Sequence, residues 1–506
     1  MKTNKIICAA LCLFLAVPFV SCANGSESSG EKTETAFTDL WIKGVDKTIN
    51  SGETVTVGVG ADMGDLNYIR FDYETNCYLD GTMYFTEKGG NKTYSERFFL
   101  TKEETEFRQI LNYYHTYNFS KVLDRIELKC VGSEGGIKLK SISAAVHPID
   151  FSKVNFYSSE IEKNMQLYIT GKNVKMGVSL KSGGAVNYVS SLNEGVRLSN
   201  VAGKVYVGQS DKGETYLADD VNLINANDTG RLIQQSYYGT RGNSITEPQD
   251  DYQCGIFDSD GISSTPGILW PYNPVQGGDQ KQNFSHLIDV RFTDTEIYVK
   301  TRPMDWAKDR SETPFYMENT YTLESDPVYG EYVKVINKGT DFSGYKHNNV
   351  RDQELPAFYG ITPLGKLASY RGNNPWENGS VSYNDNLDFW SPGTSENRFK
   401  TYENWIAWLN EDNWGIGLYV PDVTDMLVGR ASYTTDFSLI GSQPSLAPNC
   451  TYTAPLGHFS MPNYESFGFT YFLKLDNVEY SRALFKQLHE SGVSNGGLIK
   501  LEAKTT

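Results

Sequence analysis

Thr54-Val-Thr-Val-Gly-Val59 alternates polar and apolar residues with period two, the pattern of a strand that buries one face. Asn67-Tyr-Ile-Arg-Phe-Asp-Tyr73 and Gly81-Thr-Met-Tyr-Phe85 repeat it, Gly89-Gly-Asn91 marks a hairpin turn, and Lys138-Leu-Lys-Ser-Ile-Ser-Ala-Ala-Val146 reads as a closing strand. Residues 37–150 are therefore expected to form a small β-sandwich. Beyond it, Met165–Thr170, Val205–Gly208, Glu296–Thr301, Tyr332–Asn337 and Gly415–Val420 are again strand-like. Only Val478 to Ser491, with Tyr480, Ala483, Leu484 and Leu488 at helical spacing, reads as a helix. With no repeat of fixed period, residues 151–501 are expected to form one large double-sheet sandwich. The fold class is all-β.

The N-terminus has a different character. Lys2 and Lys5 precede an apolar run from Ile6 to Val20, the length of a signal segment and too short to span a bilayer. Phe19-Val20-Ser21-Cys22 resembles the bacterial lipobox, which implies cleavage after residue 21 and a lipid on Cys22. Ala23 to Thr35 is rich in Ser, Gly and Glu and offers little to bury, so residues 22–36 are expected to be a disordered tether. The expected product is an exported lipoprotein, held to a periplasmic or cell-surface membrane by its anchor alone.

The chain has 506 residues and a net charge of −16, which becomes −18 once the two signal lysines are gone. Nucleic acid and anionic surfaces need basic patches and are disfavoured as partners. With 33 Tyr, 25 Phe and 46 Gly, the composition is that of an exported, turn-rich β protein. Cys77, Cys130, Cys254 and Cys450 remain after the signal and lipid cysteines are set aside. Bridges Cys77–Cys130 and Cys254–Cys450, one per module, and four buried thiols are both open. No C-x-x-C pattern is present, and Asp258-Ser-Asp-Gly261 begins like a calcium loop without the later Glu, so no metal and no cofactor is expected.

Seven of eight tryptophans fall from Trp270 onward. Trp270, Trp376 and Trp390 lie in Pro/Gly/Asn-rich loops, where a ring can stack on a sugar face; Trp405, Trp408 and Trp414 lie in strand-like context and read as core. Tyr113, Tyr114 and Tyr117 are further stacking candidates or sandwich-edge residues. Three segments concentrate polar groups beside Gly, Pro and aromatics. Asn225–Gly239 carries Asn227, Asp228, Arg231, Gln234 and Tyr238. Trp270–Asp279 carries Trp270, Tyr272, Asn273, Gln276 and Asp279, with His286 close behind. Arg351-Asp-Gln-Glu-Leu-Pro-Ala carries Glu354; Arg302 and Glu318 lie between the last two segments. Glycoside hydrolysis needs one protonated and one ionised carboxyl. Glu318 and Glu354 are the expected pair, Asp228 the substitute, and the other residues, through Arg302, the expected glycan contacts on one concave face. The competing reading is structural: each carboxylate closes a local network.

Tyr68 to Val146 resembles, in pattern and strand order, the galactose-binding-like jelly rolls of secreted enzymes. Asp228-Thr-Gly-Arg-Leu-Ile-Gln-Gln-Ser-Tyr-Tyr238, Tyr272-Asn-Pro-Val-Gln-Gly-Gly-Asp279, Gln353-Glu-Leu-Pro-Ala357 and Trp405-Ile-Ala-Trp-Leu-Asn-Glu-Asp-Asn-Trp-Gly-Ile-Gly-Leu-Tyr419 together resemble secreted bacterial proteins of the galactose-mutarotase-like supersandwich type. The likeness spans roughly residues 187–490. It implies a carbohydrate-active protein that binds a polysaccharide or oligosaccharide, with glycoside hydrolysis expected. A non-catalytic glycan binder, a polysaccharide lyase and a sugar epimerase are the alternatives, because the fold hosts all of them. Mutarotases use a His acid and a Glu base; of His286, His347, His458 and His489, only His286 follows the binding loop closely.

Overall fold

The computed structural model describes residues 35–111, 121–151, 165–192, 197–199, 215–217, 221–240, 271–347, 350–377, 379–384, 397–431 and 444–496. Cys22 and its signal, Tyr113, Tyr114, Tyr117, Val205–Gly208, Cys254, Asp258, Trp270 and Trp390 lie outside them.

The first two sheets form the N-terminal sandwich. In one, Gly135–Ala145 is flanked by Thr38–Trp41 and Tyr68–Thr75, with Glu106–Ile110 beyond and Val45–Ile49 also on Gly135–Ala145. The other orders Thr54–Gly64, Lys121–Val131, Tyr78–Glu87 and Thr93–Leu100. Thr54–Gly64 alternates exposed and buried over its first four residues, as its sequence pattern requires. Ile69, Phe71, Leu79, Met83, Phe85, Phe98, Phe107 and Ile126 fill the space between the sheets. Each such side chain contributes about 1.5–3 kcal/mol when removed from water. The Phe71 and Phe98 rings stack at 4.9 Å. Gly81 permits this packing, because a Cβ there would stand 2.3 Å from the Phe98 ring.

The larger sandwich pairs a ten-stranded with a nine-stranded sheet. The first runs Gln166–Thr170, Val174–Ser179, Val186–Ser191, Ile233–Ser236, Arg351–Gly360, Cys450–Phe459, Asp425–Ala431, Arg398–Lys400, with Pro274–Val275 and Met304–Asp305 at its side. The second runs His286–Phe292, Glu296–Arg302, Phe315–Asp326, Gly330–Asp341, Ser466–Asn477, Trp414–Tyr419, Trp405–Leu409, Lys366–Ser369, Ser382–Asn384. Val178, Ile233, Met317, Val335, Phe358, Trp408 and Phe469 belong to the core between them. Two polar bridges cross this core: Trp408 Nε1 donates to Thr453 Oγ1 at 2.8 Å, and Gln235 Nε2 donates to Asn319 Oδ1 at 2.9 Å. The chain is thus all-β, two double-sheet sandwiches in series.

Two bodies pack on the outer face of the nine-stranded sheet. The helix Val478–Glu490, capped by the Asn477 side chain, buries Val478, Ser481, Leu484 and Phe485 in a cluster with Trp405, Tyr419 and Phe472. Leu484 is buried and Leu488 packs against the same cluster, as expected, but Ser481 rather than Tyr480 meets the sheet, and Tyr480 is exposed. The N-terminal sandwich covers another part of the sheet. Ile288, Tyr316 and Phe342 join its core, while Tyr68, Ile110 and Ala145 join the larger one. Tyr68 OH donates to Asp289 Oδ1 at 2.5 Å across this seam.

Candidate functional site

The strand Arg351–Gly360 sits between Ile233–Ser236 and Cys450–Phe459. Leu355 faces the inter-sheet core, so Asp352 and Glu354 point together to the outer face. Two positions on one strand place their Cα atoms about 7 Å apart. Ser236 and Leu456 stand opposite Glu354 on the two neighbours, and His458 stands opposite Asp352.

The surroundings of the two carboxyls differ. Glu354 Oε1 accepts from Tyr452 OH at 2.7 Å and from Tyr238 OH at 3.1 Å. Burial pushes its proton affinity above the usual carboxylate range, against the smaller opposing pull of the Tyr452, Tyr238 and Ser236 hydroxyls. Both phenols are held well above their ordinary range, by burial first and by the Glu354 charge second. With Oε1 already accepting twice, a proton on this carboxyl belongs on Oε2. Asp352 instead has a guanidinium and an imidazole as neighbours. Arg398 reaches it at 2.7 Å, and His458 Nδ1 at 2.8 Å. His458 Nε2 and Arg398 also reach Asp425, at 3.0 and 2.9 Å. Asp352 and His458 are 44% and 43% exposed, enough to meet a ligand. The Tyr359 and Tyr452 rings meet at 4.7 Å on the same face. The arrangement sets two carboxyls with unlike neighbours side by side on one face. Among the described residues no group of three or more His, Cys, Asp or Glu side chains is arranged to hold a metal ion.

Of the expected site residues, the structure brings Tyr238 and Glu354 together. Glu318 lies elsewhere. Its side chain leaves the nine-stranded sheet toward the N-terminal sandwich, where Lys338 and Lys300 approach at 3.2 and 3.4 Å and Tyr298 OH donates at 2.6 Å. Glu104 of the first sandwich closes the group, 2.6 Å from Lys338. Burial alone raises the affinity of Glu318 for a proton, but the two ammonium groups and the phenol outweigh it and hold its pKa down to about 2. Expected as one half of a catalytic pair with Glu354, Glu318 is placed on a different sheet, facing a different neighbour.

The remaining candidates mostly bind their own loops, as the structural reading anticipates. Asp228 accepts from Gly230 N at 2.9 Å and pairs with Arg231 at 3.0 Å; Arg231 also donates to Pro448 O. Asn227 is exposed beside this turn. Gln234 donates to Gly230 O and accepts from Gly277 N, each at 2.7 Å, and Gln276 donates to Gly183 O at 3.0 Å. Asn273 donates to Tyr237 O at 2.7 Å. Asp279 accepts from the backbone N–H groups of Lys281, Asn283 and Arg310 and from the Asn283 amide. Tyr272 reaches Asp341 at 3.3 Å and stacks on His347. His286 and Arg302 share Glu312, and Arg302 also donates to Arg97 O at the seam. Sequence reasoning missed Asp352, Arg398, Asp425, Tyr452 and His458. Asp352 was legible, since it shares strand parity with Glu354; the others come from strands far away in the chain.

No family model matches the chain, and no curated protein matches it. Among solved structures, it is similar to a candidate mutarotase (YeaD) from Salmonella typhimurium (10% identity, 62% of this chain and 90% of that one, TM-score 0.28). It is also similar to a candidate aldose 1-epimerase from Klebsiella pneumoniae (10% identity, 64% and 83%, TM-score 0.31) and to a 4-alpha-glucanotransferase from Thermococcus litoralis (10% identity, 61% and 37%, TM-score 0.26). Likenesses of this strength assign no activity to the chain.

Proposed function

We propose that the outer face of the ten-stranded sheet binds a polysaccharide or oligosaccharide and hydrolyses a glycosidic bond. The observation that carries this is the pair Asp352 and Glu354: same strand, same face, opposite surroundings. Such divergence separates an acid from a base. Glu354 gives its proton to the departing glycosidic oxygen, and Asp352 takes one from the attacking water. Tyr359, half-buried on this face, supplies an aromatic ring of the kind that sugar C–H faces prefer. The test is release of reducing ends from a polysaccharide panel. Glu354→Gln and Asp352→Asn should each lower kcat by about 10²–10⁴-fold; full activity in both on a substrate the native chain cleaves refutes the assignment.

A second reading draws on His458, across the strand from Asp352 and diagonal to Glu354. Its imidazole and the Glu354 carboxyl would suit ring opening of a free sugar, an epimerase reaction. Anomer interconversion by NMR, with no new reducing ends, would favour it. Export as a lipoprotein is part of the same proposal. It draws on the apolar run ending at Ser21-Cys22, and membrane partitioning that survives Cys22→Ala would refute it.

A further inference from the structure

A cavity of about 550 Å³ opens beside the helix, away from the Asp352–Glu354 face. Glu479, Arg482, Ala483 and Lys486, one flank of the helix, form one wall. The loop residues Trp376, Glu377, Gly379, Ser380 and Val381, with Tyr383 on the edge strand Ser382–Asn384, form the other.

That loop has almost no regular structure, yet it is fixed at several points. Glu403, its side chain fully buried, accepts from Trp376 N at 2.6 Å and from Trp405 Nε1 at 2.8 Å. It also holds the Arg482 guanidinium through two bonds, at 2.6 and 2.8 Å. Arg482 in turn donates to Gly379 O at 2.6 Å and Glu377 O at 3.2 Å. Its guanidinium lies over the Tyr370 ring, and Tyr370 OH donates to Asn374 O at 2.7 Å. Gly379 approaches that hydroxyl so closely that a Cβ would stand 2.3 Å away. Trp376 is held at φ +64°, a left-handed conformation that is strained for a bulky residue. An irregular loop this firmly fixed, with strain retained at its tryptophan, is preorganised against the cavity.

The lining selects the ligand. Arg482 is committed to Glu403 and two carbonyls, so it is no anchor for an anion, and exposed Glu377 and Glu479 repel one. Lys486 at the rim is balanced by Glu490 at 3.7 Å. Val381, Ala483 and the Trp376 and Tyr383 rings give apolar surface; Ser380, Glu377, Glu479 and Lys486 give separated donors and acceptors. Apolar surface edged by such groups fits an uncharged, hydroxyl-rich molecule. We infer that this cavity is a second saccharide-binding site, taking a stretch of neutral glycan chain apart from the reaction face. The choice of ligand rests on the glycan reading above.

The test is calorimetric titration of the full chain with cello-, xylo-, manno- and maltohexaose. The chain is compared with a Tyr383→Ala/Glu377→Ala variant and with Glu354→Gln. Both cavity positions are exposed, so the melting temperature of the double variant should match that of the native chain. The double variant should lose one class of sites or bind about tenfold more weakly, a typical effect of removing an aromatic contact and a polar one, while its kcat on soluble substrate is unchanged. If a hexaose binds the native chain and the double variant equally, the cavity is not a glycan site, and the reaction-face proposal is untouched. Binding lost in the double variant, with no hydrolysis by the native chain, keeps the cavity and refutes the reaction face. Failure of every hexaose to bind overturns the inference.

Discussion

Two glutamates of the larger sandwich stand in opposite surroundings. Glu318, at the seam with the N-terminal sandwich, has two ammonium neighbours and holds its charge down to a pKa of about 2. Glu354, on the outer face of the ten-stranded sheet, is hydrogen-bonded by the Tyr452 and Tyr238 hydroxyls, and burial raises its affinity for a proton. Hydroxyls satisfy a carboxyl in either state, whereas cations demand the charge. The seam is therefore built as a permanent ionic joint, and the outer face keeps a carboxyl able to exchange its proton.

The largest effect should come from breaking the joint. Glu318→Gln leaves Lys300, whose side chain is 6% exposed, without one of its two carboxylates. Urea unfolding should show a loss of about 3–5 kcal/mol at neutral pH. The sign of the pH dependence follows from the lowered pKa. The contribution of Glu318 is complete above its ordinary 4.5 and disappears as pH falls toward 2, so native and variant should converge in that window. Limited proteolysis near residue 150 should then release a fragment running to the C-terminus faster in the variant; equal rates would mean that the joint does not govern how the two modules separate.

A smaller effect is expected from Tyr452→Phe. Losing one hydroxyl bond to Glu354 should cost about 0.5–1.5 kcal/mol. Because that bond lowers the proton affinity of Glu354, its removal should move the alkaline limb of the kcat profile to higher pH. A limb that moves down, or stays, removes Glu354 from the role of acid.

The smallest change in stability belongs to Glu354→Gln, within about 1 kcal/mol of the native chain at pH 7. A carboxyl whose pKa is raised in the folded state stabilises most below 4.5 and loses that contribution as pH climbs through the raised value. The amide resembles the protonated form, so this slope should vanish in the variant. A loss as large as that of Glu318→Gln would show Glu354 to be another structural anchor.

The sequence revealed the fold more readily than the site. Alternation located the strands that became Thr54–Gly64, Tyr68–Thr75 and Gly330–Asp341, because a half-buried strand must alternate. Trp405 and Trp408 proved to be core, as strand context implies. Chemical density was a poorer guide. Asp228, Gln234 and Asp279 sit among Gly and Pro because those turns need side-chain acceptors for their own N–H groups, a demand that leaves the same local pattern as a ligand site. Glu354 stood out beside a Leu-Pro break. Its partner Tyr452, and His458 beside Asp352, lie about a hundred residues away, brought in by strand pairing that no local pattern encodes.

That pairing has one irregularity. Glu354 stands opposite Leu456, but Phe358 stands opposite Thr453, so this strand carries one residue more than its neighbour across the interval. The extra residue reverses the phase of the strand. Were the same residues paired as a regular strand, Phe358 would share the side of Glu354, and Tyr359 would turn inward. With the extra residue, Phe358 fills the core and Tyr359 comes round beside Tyr452. Deleting Ala357 would thus regularise the strand and leave Phe358 and Tyr359 on their present sides, whereas a deletion elsewhere in the strand would act as a frameshift in space, exchanging downstream side chains that meet solvent with those that meet the interior.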